Sequence, residues 1–131
     1  MTGRVITFGT FDVFHVGHLR IIERAYRLGD HLIVGVSTDE MNYEKKGRNP
    51  VYNQAERMEI ISALRYVDEV FSEVSLSLKR HYIRTYQADV LVMGDDWAGK
   101  FDEFRDICRV EYLTRTPSIS TTAVIEKIRT P

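Results

Sequence analysis

Two histidines three residues apart, His15 and His18, lie in the segment Gly9-Thr10-Phe11-Asp12-Val13-Phe14-His15-Val16-Gly17-His18. Before it, Val5-Ile6-Thr7-Phe8 suits a strand, and after it Leu19, Ile22 and Tyr26 recur at helical spacing. The pair therefore falls at a strand-to-helix turn, where unpaired backbone N–H groups and the positive dipole end attract anions. Imidazoles at i and i+3 on one helical turn add donors on the same side, which suits polyphosphate chemistry. Two plainer readings compete. Half of a zinc site would need further ligands, and the only cysteine, Cys108, stands in no cluster. Incidental surface histidines are the other.

A second cluster stands near the far end, in Arg115-Thr116-Pro117-Ser118-Ile119-Ser120-Thr121-Thr122. A guanidinium and several hydroxyls precede a helical pattern, with Ser120 placed as its N-cap. Capping alone accounts for hydroxyls at a helix start. With Arg115 added, they read as a second phosphate cradle. Gly94-Asp95-Asp96-Trp97-Ala98-Gly99-Lys100-Phe101 nearly matches a P-loop, but Phe101 stands where Ser or Thr must bind magnesium and the aspartates would repel phosphate. Its aspartates and indole suit hydroxyls, a base or a metal, or simply a polar turn around a packed Trp97.

The elements that must position these groups follow from periodicity. Strands are expected near Arg4–Phe8, His31–Val36, Asp68–Phe71, Val90–Met93 and Val110–Leu113. Helices are expected from Leu19 to Leu28, from Asn53 with a capping box to Glu56, from Leu76 to Tyr86, from Phe101 to Cys108 and from Ser120 to Ile128. Alternation of strand and helix predicts an α/β fold: a single Rossmann-like domain spanning residues 1–131, with a doubly wound five-stranded parallel sheet and helices on both faces. In such a sheet the loops after the first, fourth and fifth strands open on one edge. The longest irregular stretch, Asn42 to Tyr52, carries Lys45, Lys46 and Arg48 and reads either as a mobile basic lid or as a solvated charged turn. For Arg65 and Arg57 a structural ion pair is the default expectation. Lys79 and Arg80 could be a solvated helix face, and His31 and His81 receive no role.

Composition narrows the classes. A chain of 131 residues with 44% hydrophobic content supports one domain with a core. Eighteen basic and nineteen acidic residues give net charge −1, so no global field draws nucleic acid or an acidic membrane. A single cysteine excludes an intrachain disulfide, the start Met-Thr-Gly-Arg-Val lacks a signal-peptide core, and no apolar run spans a bilayer. A cytoplasmic location is expected.

Taken together, Gly-Thr-Phe-Asp with His15 and His18, Ser37-Thr38-Asp39-Glu40, Arg65-Tyr66-Val67-Asp68-Glu69-Val70, Gly94-Asp95-Asp96-Trp97, and Arg115-Thr116 with Ile119-Ser120-Thr121-Thr122 resemble the His-x-Gly-His nucleotidyltransferases. Within these the chain is most similar to the cytidylyltransferases that act on glycerol 3-phosphate. The resemblance implies CTP and glycerol 3-phosphate as substrates, Mg2+ as cofactor, CDP-glycerol and pyrophosphate as products, and a cytoplasmic homodimer supplying teichoic-acid or capsule precursors. It also implies that His15, His18 and Arg115 are catalytic. Thr10, Phe11, Asp12, Gly17, Lys46, Asp96, Thr116, Ile119, Ser120, Thr121 and Thr122 would meet CTP, and Lys45, Lys79, Arg57, Arg65 and Trp97 would serve the acceptor. Asp12 would help place magnesium with the nucleotide phosphates. Two rivals stand beside this: the same site with another small acceptor (phosphoethanolamine, phosphocholine, or a polyol or sugar phosphate), and a non-catalytic nucleotide-binding domain.

Overall fold

Short runs of Val, Ile and Leu that are apolar on both faces form interior strands, because a parallel sheet covered on both sides leaves no solvent face for polar residues. The computed structural model describes residues 3–115 and 120–130. It contains five such strands: β1 (Arg4–Gly9), β2 (His31–Ser37), β3 (Glu69–Glu73), β4 (Val90–Gly94) and β5 (Arg109–Leu113). All neighbours pair in parallel in the order β3-β2-β1-β4-β5. The chain thus winds outward from β1 in both directions, and the order reverses between β1 and β4. At that reversal the loops after two adjacent strands diverge, leaving a crevice at the carboxyl edge.

Among the described residues five α-helices connect and cover the sheet: α1 (Val16–Tyr26), α2 (Asp39–Lys46), α3 (Gln54–Ser62), α4 (Lys79–Thr85) and α5 (Thr121–Arg129). On one face Val5, Leu32, Val34, Val36, Val90 and Val92 pack with Ile22 and Ala25 of α1 and Ile61 of α3. On the other, Ile6, Phe8, Ile33, Phe71, Leu91 and Met93 pack with Tyr82 and Ile83 of α4 and with Phe101 and Phe104. Gly35 makes room on this second face, since a Cβ there would lie 2.7 Å from the rings of both Phe8 and Phe71. The doubly wound α/β architecture expected from the sequence is the one observed.

Three local expectations change. Helix α1 begins at Val16 rather than Leu19, because His15 itself caps it. The stretch expected to be irregular from Asn42 begins inside α2, so Lys45 and Lys46 stand on that helix's last turn rather than in a lid. Thr38 caps α2 by accepting from Met41 N–H at 3.0 Å, and Gly47 ends it in the left-handed conformation at φ 73°. The helix expected over Phe101–Cys108 is a 3-10 helix over Asp102–Asp106, and a 3-10 turn over Leu76–Leu78 precedes α4.

Candidate active site

The turn between β1 and α1 is strained. Phe11 and Val13 adopt left-handed φ values of 54° and 47°, which a β-branched residue such as Val13 rarely accepts. Asp12, between them, holds this geometry. Its carboxylate accepts from Val13 N–H at 3.0 Å, from Tyr52 N–H at 2.9 Å and from Val51 N–H at 2.7 Å. It thereby straps the segment before α3 across the first turn. Among the described residues no group of three or more His, Cys, Asp or Glu side chains could hold an ion, so a magnesium ion meeting Asp12 would be held chiefly by the nucleotide phosphates.

Beyond the strap, His15 and His18 close a reciprocal cap. Gly17 N–H donates to His15 Nδ1 at 3.1 Å, and His15 N–H donates to His18 Nδ1 at 3.2 Å. With each Nδ1 accepting, each neutral ring carries its proton on Nε2, facing away from the helix backbone. The rings stack at 3.9 Å, and His18 also stacks on Phe14 at 5.5 Å and meets the edge of Phe11 at 5.6 Å. Burial, then the neighbouring His15, push His18 down to about 4, against an opposing pull from Asp12. Burial and the Arg115 charge lower His15 as well. Both imidazoles are thus neutral N–H donors at physiological pH.

Helix α5 begins beside them. Ser120 caps it by accepting from Ala123 N–H at 3.0 Å. Thr121 Oγ1 donates to the Asp12 carbonyl at 3.1 Å and lies 3.4 Å from His15 Nε2. Two helix N-termini, the histidine pair and Arg115 therefore converge, as the sequence predicted. Gly17 is buried in the first turn of α1, and Thr122 is exposed on α5. Thr116 and Ile119 lie outside the described residues. Asp95–Trp97 form a 3-10 turn after β4, not a phosphate loop.

The expected acceptor residues divide. Lys45 Nζ lies 4.4 Å above the Trp97 ring and Lys100 Nζ lies 5.3 Å from it, while Asp96 is exposed on the same turn. Lys46 is exposed one residue beyond Lys45. Arg57 is fully buried and spends its donors inward, on the carbonyls of Thr10 (2.9 Å), Ser37 (2.8 Å) and Tyr52 (3.0 Å) and on Asp39 (2.7 Å). It holds three loops together, so direct acceptor binding by Arg57 is replaced by a framework role with the ion pair that was the default. Arg65 has moved furthest from expectation. It follows α3 and precedes β3, hence at the opposite, amino edge of the sheet, and donates to the Tyr66 hydroxyl at 2.9 Å rather than to a carboxylate. Thr10 likewise turns inward: its hydroxyl is engaged by Asn42 Oδ1 (2.9 Å) and Ser37 Oγ (3.0 Å). Lys79, far from a solvated face, is 1% exposed and donates to Glu73 at 2.6 Å. Ser37 and Asp39 entered the sequence reading only within the Ser37-Thr38-Asp39-Glu40 block and Asn42 only as the start of an irregular stretch, none with a role, and Glu73 was not singled out. Asp39 heads a helix behind a Thr cap, the one signal that could have found it.

A cytidylyltransferase-like family model matches residues 6–127. The chain belongs to the cytidylyltransferase-like family. This member is 48% identical over 125 residues to the glycerol-3-phosphate cytidylyltransferase of Bacillus subtilis, covering 95% of this chain and 96% of that one. Against the enzyme of the same name from Staphylococcus aureus it is 42% identical, covering 95% and 94%. In fold it is similar to the lipopolysaccharide core biosynthesis protein from Thermoplasma volcanium, with a TM-score of 0.74 at 23% identity over 88% of this chain and 99% of that one. As a member of this family the chain is an enzyme, a nucleotidyltransferase. Among the described residues no helix is long and apolar enough to cross a membrane.

Proposed function

We propose that this cytidylyltransferase-like enzyme transfers CMP from CTP to glycerol 3-phosphate, giving CDP-glycerol and pyrophosphate. The observation that carries the chemistry is the reciprocal cap, which consumes both Nδ1 atoms and leaves two neutral Nε2–H donors, that of His15 beside the start of α5. The acceptor is taken from the relatives of that name, matched across nearly the whole chain.

An ionised oxygen of the acceptor phosphate attacks the α-phosphorus of CTP in line. The bond from the α-phosphorus to the oxygen bridging it to the β-phosphorus breaks, and pyrophosphate carries that electron pair away. A nucleophile already ionised at neutral pH needs no covalent intermediate or strong base, so positioning and charge stabilisation carry the rate. His15 and His18 donate to phosphate oxygens as charge builds, without themselves changing protonation. The α1 and α5 N-termini and Arg115 hold the triphosphate, with Gly17, Thr122, Lys46 and Asp96 around it, and Lys45 and Trp97 at the acceptor mouth. Magnesium is proposed to enter with CTP, held by its phosphates. The working unit is proposed to be a cytoplasmic homodimer, which sedimentation and cell fractionation test.

The decisive experiment incubates the protein with magnesium, each nucleoside triphosphate and a panel of phosphate acceptors, reading pyrophosphate release. Release is expected with CTP and glycerol 3-phosphate. Release only with phosphoethanolamine, phosphocholine or another polyol or sugar phosphate replaces the acceptor, and no release with any pair overturns the enzyme reading.

A further inference from the structure

Helix α2 takes its place in the fold from a polar side chain. Of its eight residues it buries one, and that one is an amide: Asn42, 3% exposed. A surface helix is ordinarily seated by an apolar stripe, which α2 lacks. Asn42 Nδ2 donates to the Thr38 carbonyl at 2.8 Å and to Ser37 Oγ at 2.8 Å, and Asn42 Oδ1 accepts from Thr10 Oγ1 at 2.9 Å. A carbonyl only accepts, so the Thr38 contact fixes which end of the amide is nitrogen. Thr10 then spends its one hydroxyl proton on Oδ1, and in the 3.0 Å contact between Thr10 and Ser37 it is Ser37 that donates. The three side chains close a ring of hydrogen bonds that ties together the turn after β1, the end of β2 and α2.

What the ring positions follows from its place on the helix. The first turn of α2 has other anchors, the Thr38 cap and the Asp39 bond to Arg57. Among the described residues Asn42 is the last side chain of α2 hydrogen-bonded to the body of the protein, and Lys45 stands three residues on, so the two share a helix face. Helix α2 follows β2 and the Trp97 turn follows β4, the two strands that flank β1, so the Lys45 ammonium 4.4 Å from the Trp97 ring joins the two sides of the crevice. Stability alone does not call for the amide. Without it the Thr38 carbonyl keeps the backbone N–H of residue 42 at 3.1 Å, Thr10 and Ser37 keep each other, and Arg57 still binds both of their carbonyls. We infer that Asn42 is a positioning residue for the acceptor side of the crevice: through the ring with Thr10 and Ser37 it fixes the last turn of α2 so that Lys45 stands over Trp97. The consequence for turnover rests on the proposed reading of Lys45 and Trp97 as the acceptor mouth. The placement itself does not.

Trp97 is the single tryptophan of the chain, so the placement is measurable without turnover. Asn42→Leu keeps the branch at Cγ and removes the donors and the acceptor. In it, acrylamide quenching of Trp97 fluorescence should rise toward the value of Lys45→Ala. With CTP, magnesium and glycerol 3-phosphate, its KM for glycerol 3-phosphate should rise roughly fivefold while kcat and KM for CTP stay unchanged. Adding Asn42→Leu to Lys45→Ala should change neither quantity further, because the amide acts through the lysine. If Asn42→Leu unfolds, Ser37→Ala opens the same ring from β2 while Asn42 keeps its bond to the Thr38 carbonyl, and it should shift both quantities in the same direction. Unchanged quenching, an equal rise in both KM values, or a double variant in which the two effects add overturns the inference. Wild-type protein that releases no pyrophosphate from this substrate pair overturns the parent reading instead, and the quenching comparison then tests the placement on its own.

Discussion

The first turn and the loop framework behind it are both rich in hydrogen-bond donors, yet they aim them in opposite directions. His15 and His18 spend Nδ1 on the helix start and leave Nε2–H neutral and off the helix backbone, that of His15 beside Thr121 of α5. Arg57, one strand away, turns all four of its recorded donor bonds onto protein oxygens. The difference teaches that a donor-rich residue near a phosphate site does chemistry only where the backbone leaves its donor free. Arg57 builds the crevice, and the histidines work in it.

The largest effect should come from breaking the inward side. Arg57→Leu strands Asp39 and three carbonyls, and losing one partner of a buried, hydrogen-bonded pair costs about 3–5 kcal/mol. Urea denaturation should show that loss and the melting temperature should fall on the order of 10 °C or more. Arg57→Lys should not restore it, since one ammonium cannot reach acceptors on four residues from three segments. If either variant instead kept its stability and only raised the KM for the acceptor, Arg57 would belong with the outward donors and the contrast would fail.

The outward side is probed by His15→Asn. An Asn side chain can still accept from the helix N–H as a cap, so the fold should melt within a degree or two of wild type. The Nε2 donor is gone, and loss of one such donor should lower kcat roughly 10²–10³-fold. Comparing it with His15→Ala, which loses cap and donor together, separates the two tasks of one ring. Near-normal turnover in His15→Asn would reduce the histidine to a cap.

Protonation sharpens the same contrast, because it attacks only the outward side. With His18 held at about 4 and its unfolded value near the ordinary 6.5, the unfolded chain binds the extra proton between those limits. Stability from His18 is therefore complete above about pH 6.5 and is lost as pH falls toward 4. His15, lowered in the same direction, adds to that slope. A proton on either Nδ1 also removes the acceptor that closes the cap. Urea midpoints measured from pH 7 to pH 4 should fall, and His18→Gln should flatten part of the decline. An equally steep fall in that variant would assign the slope to other groups.

Residue type and spacing revealed the topology and the histidine turn because both depend on local pattern: apolar runs that are buried on both faces, and a helix start after a strand. Direction was not legible. Arg57, Arg65 and Lys79 look alike in sequence as cations near an anion site, and only tertiary packing shows one tied to three loops, one at the far edge of the sheet and one sealed against Glu73 and two phenylalanines. Helix α2 was hidden for another reason. Its Asp39-Glu40-Met41-Asn42-Tyr43-Glu44-Lys45-Lys46 is too polar to show an apolar stripe, and the helix is held by its Thr38 cap, the Asn42 bonds to Ser37 and Thr38, and Gly47. The strap made by Asp12 was not legible either, because two of its three backbone donors, Val51 and Tyr52, reach it only through tertiary folding.

The smallest effect lies where the two sides meet. Thr121 donates to the backbone carbonyl of Asp12, whose side chain straps the Val51–Tyr52 segment, and it also touches His15 Nε2. Thr121→Val keeps the shape and removes the hydroxyl, so it should cost about 1 kcal/mol of stability, the net value of one hydrogen bond. The seat of α5 against the first turn loosens with it, and KM for CTP should rise several-fold while KM for the acceptor stays put. Thr121→Ser, which restores the hydroxyl, should recover both. A change in acceptor KM alone would mean that α5 serves the other half of the crevice, because the hydroxyl's recorded partners all belong to the histidine turn.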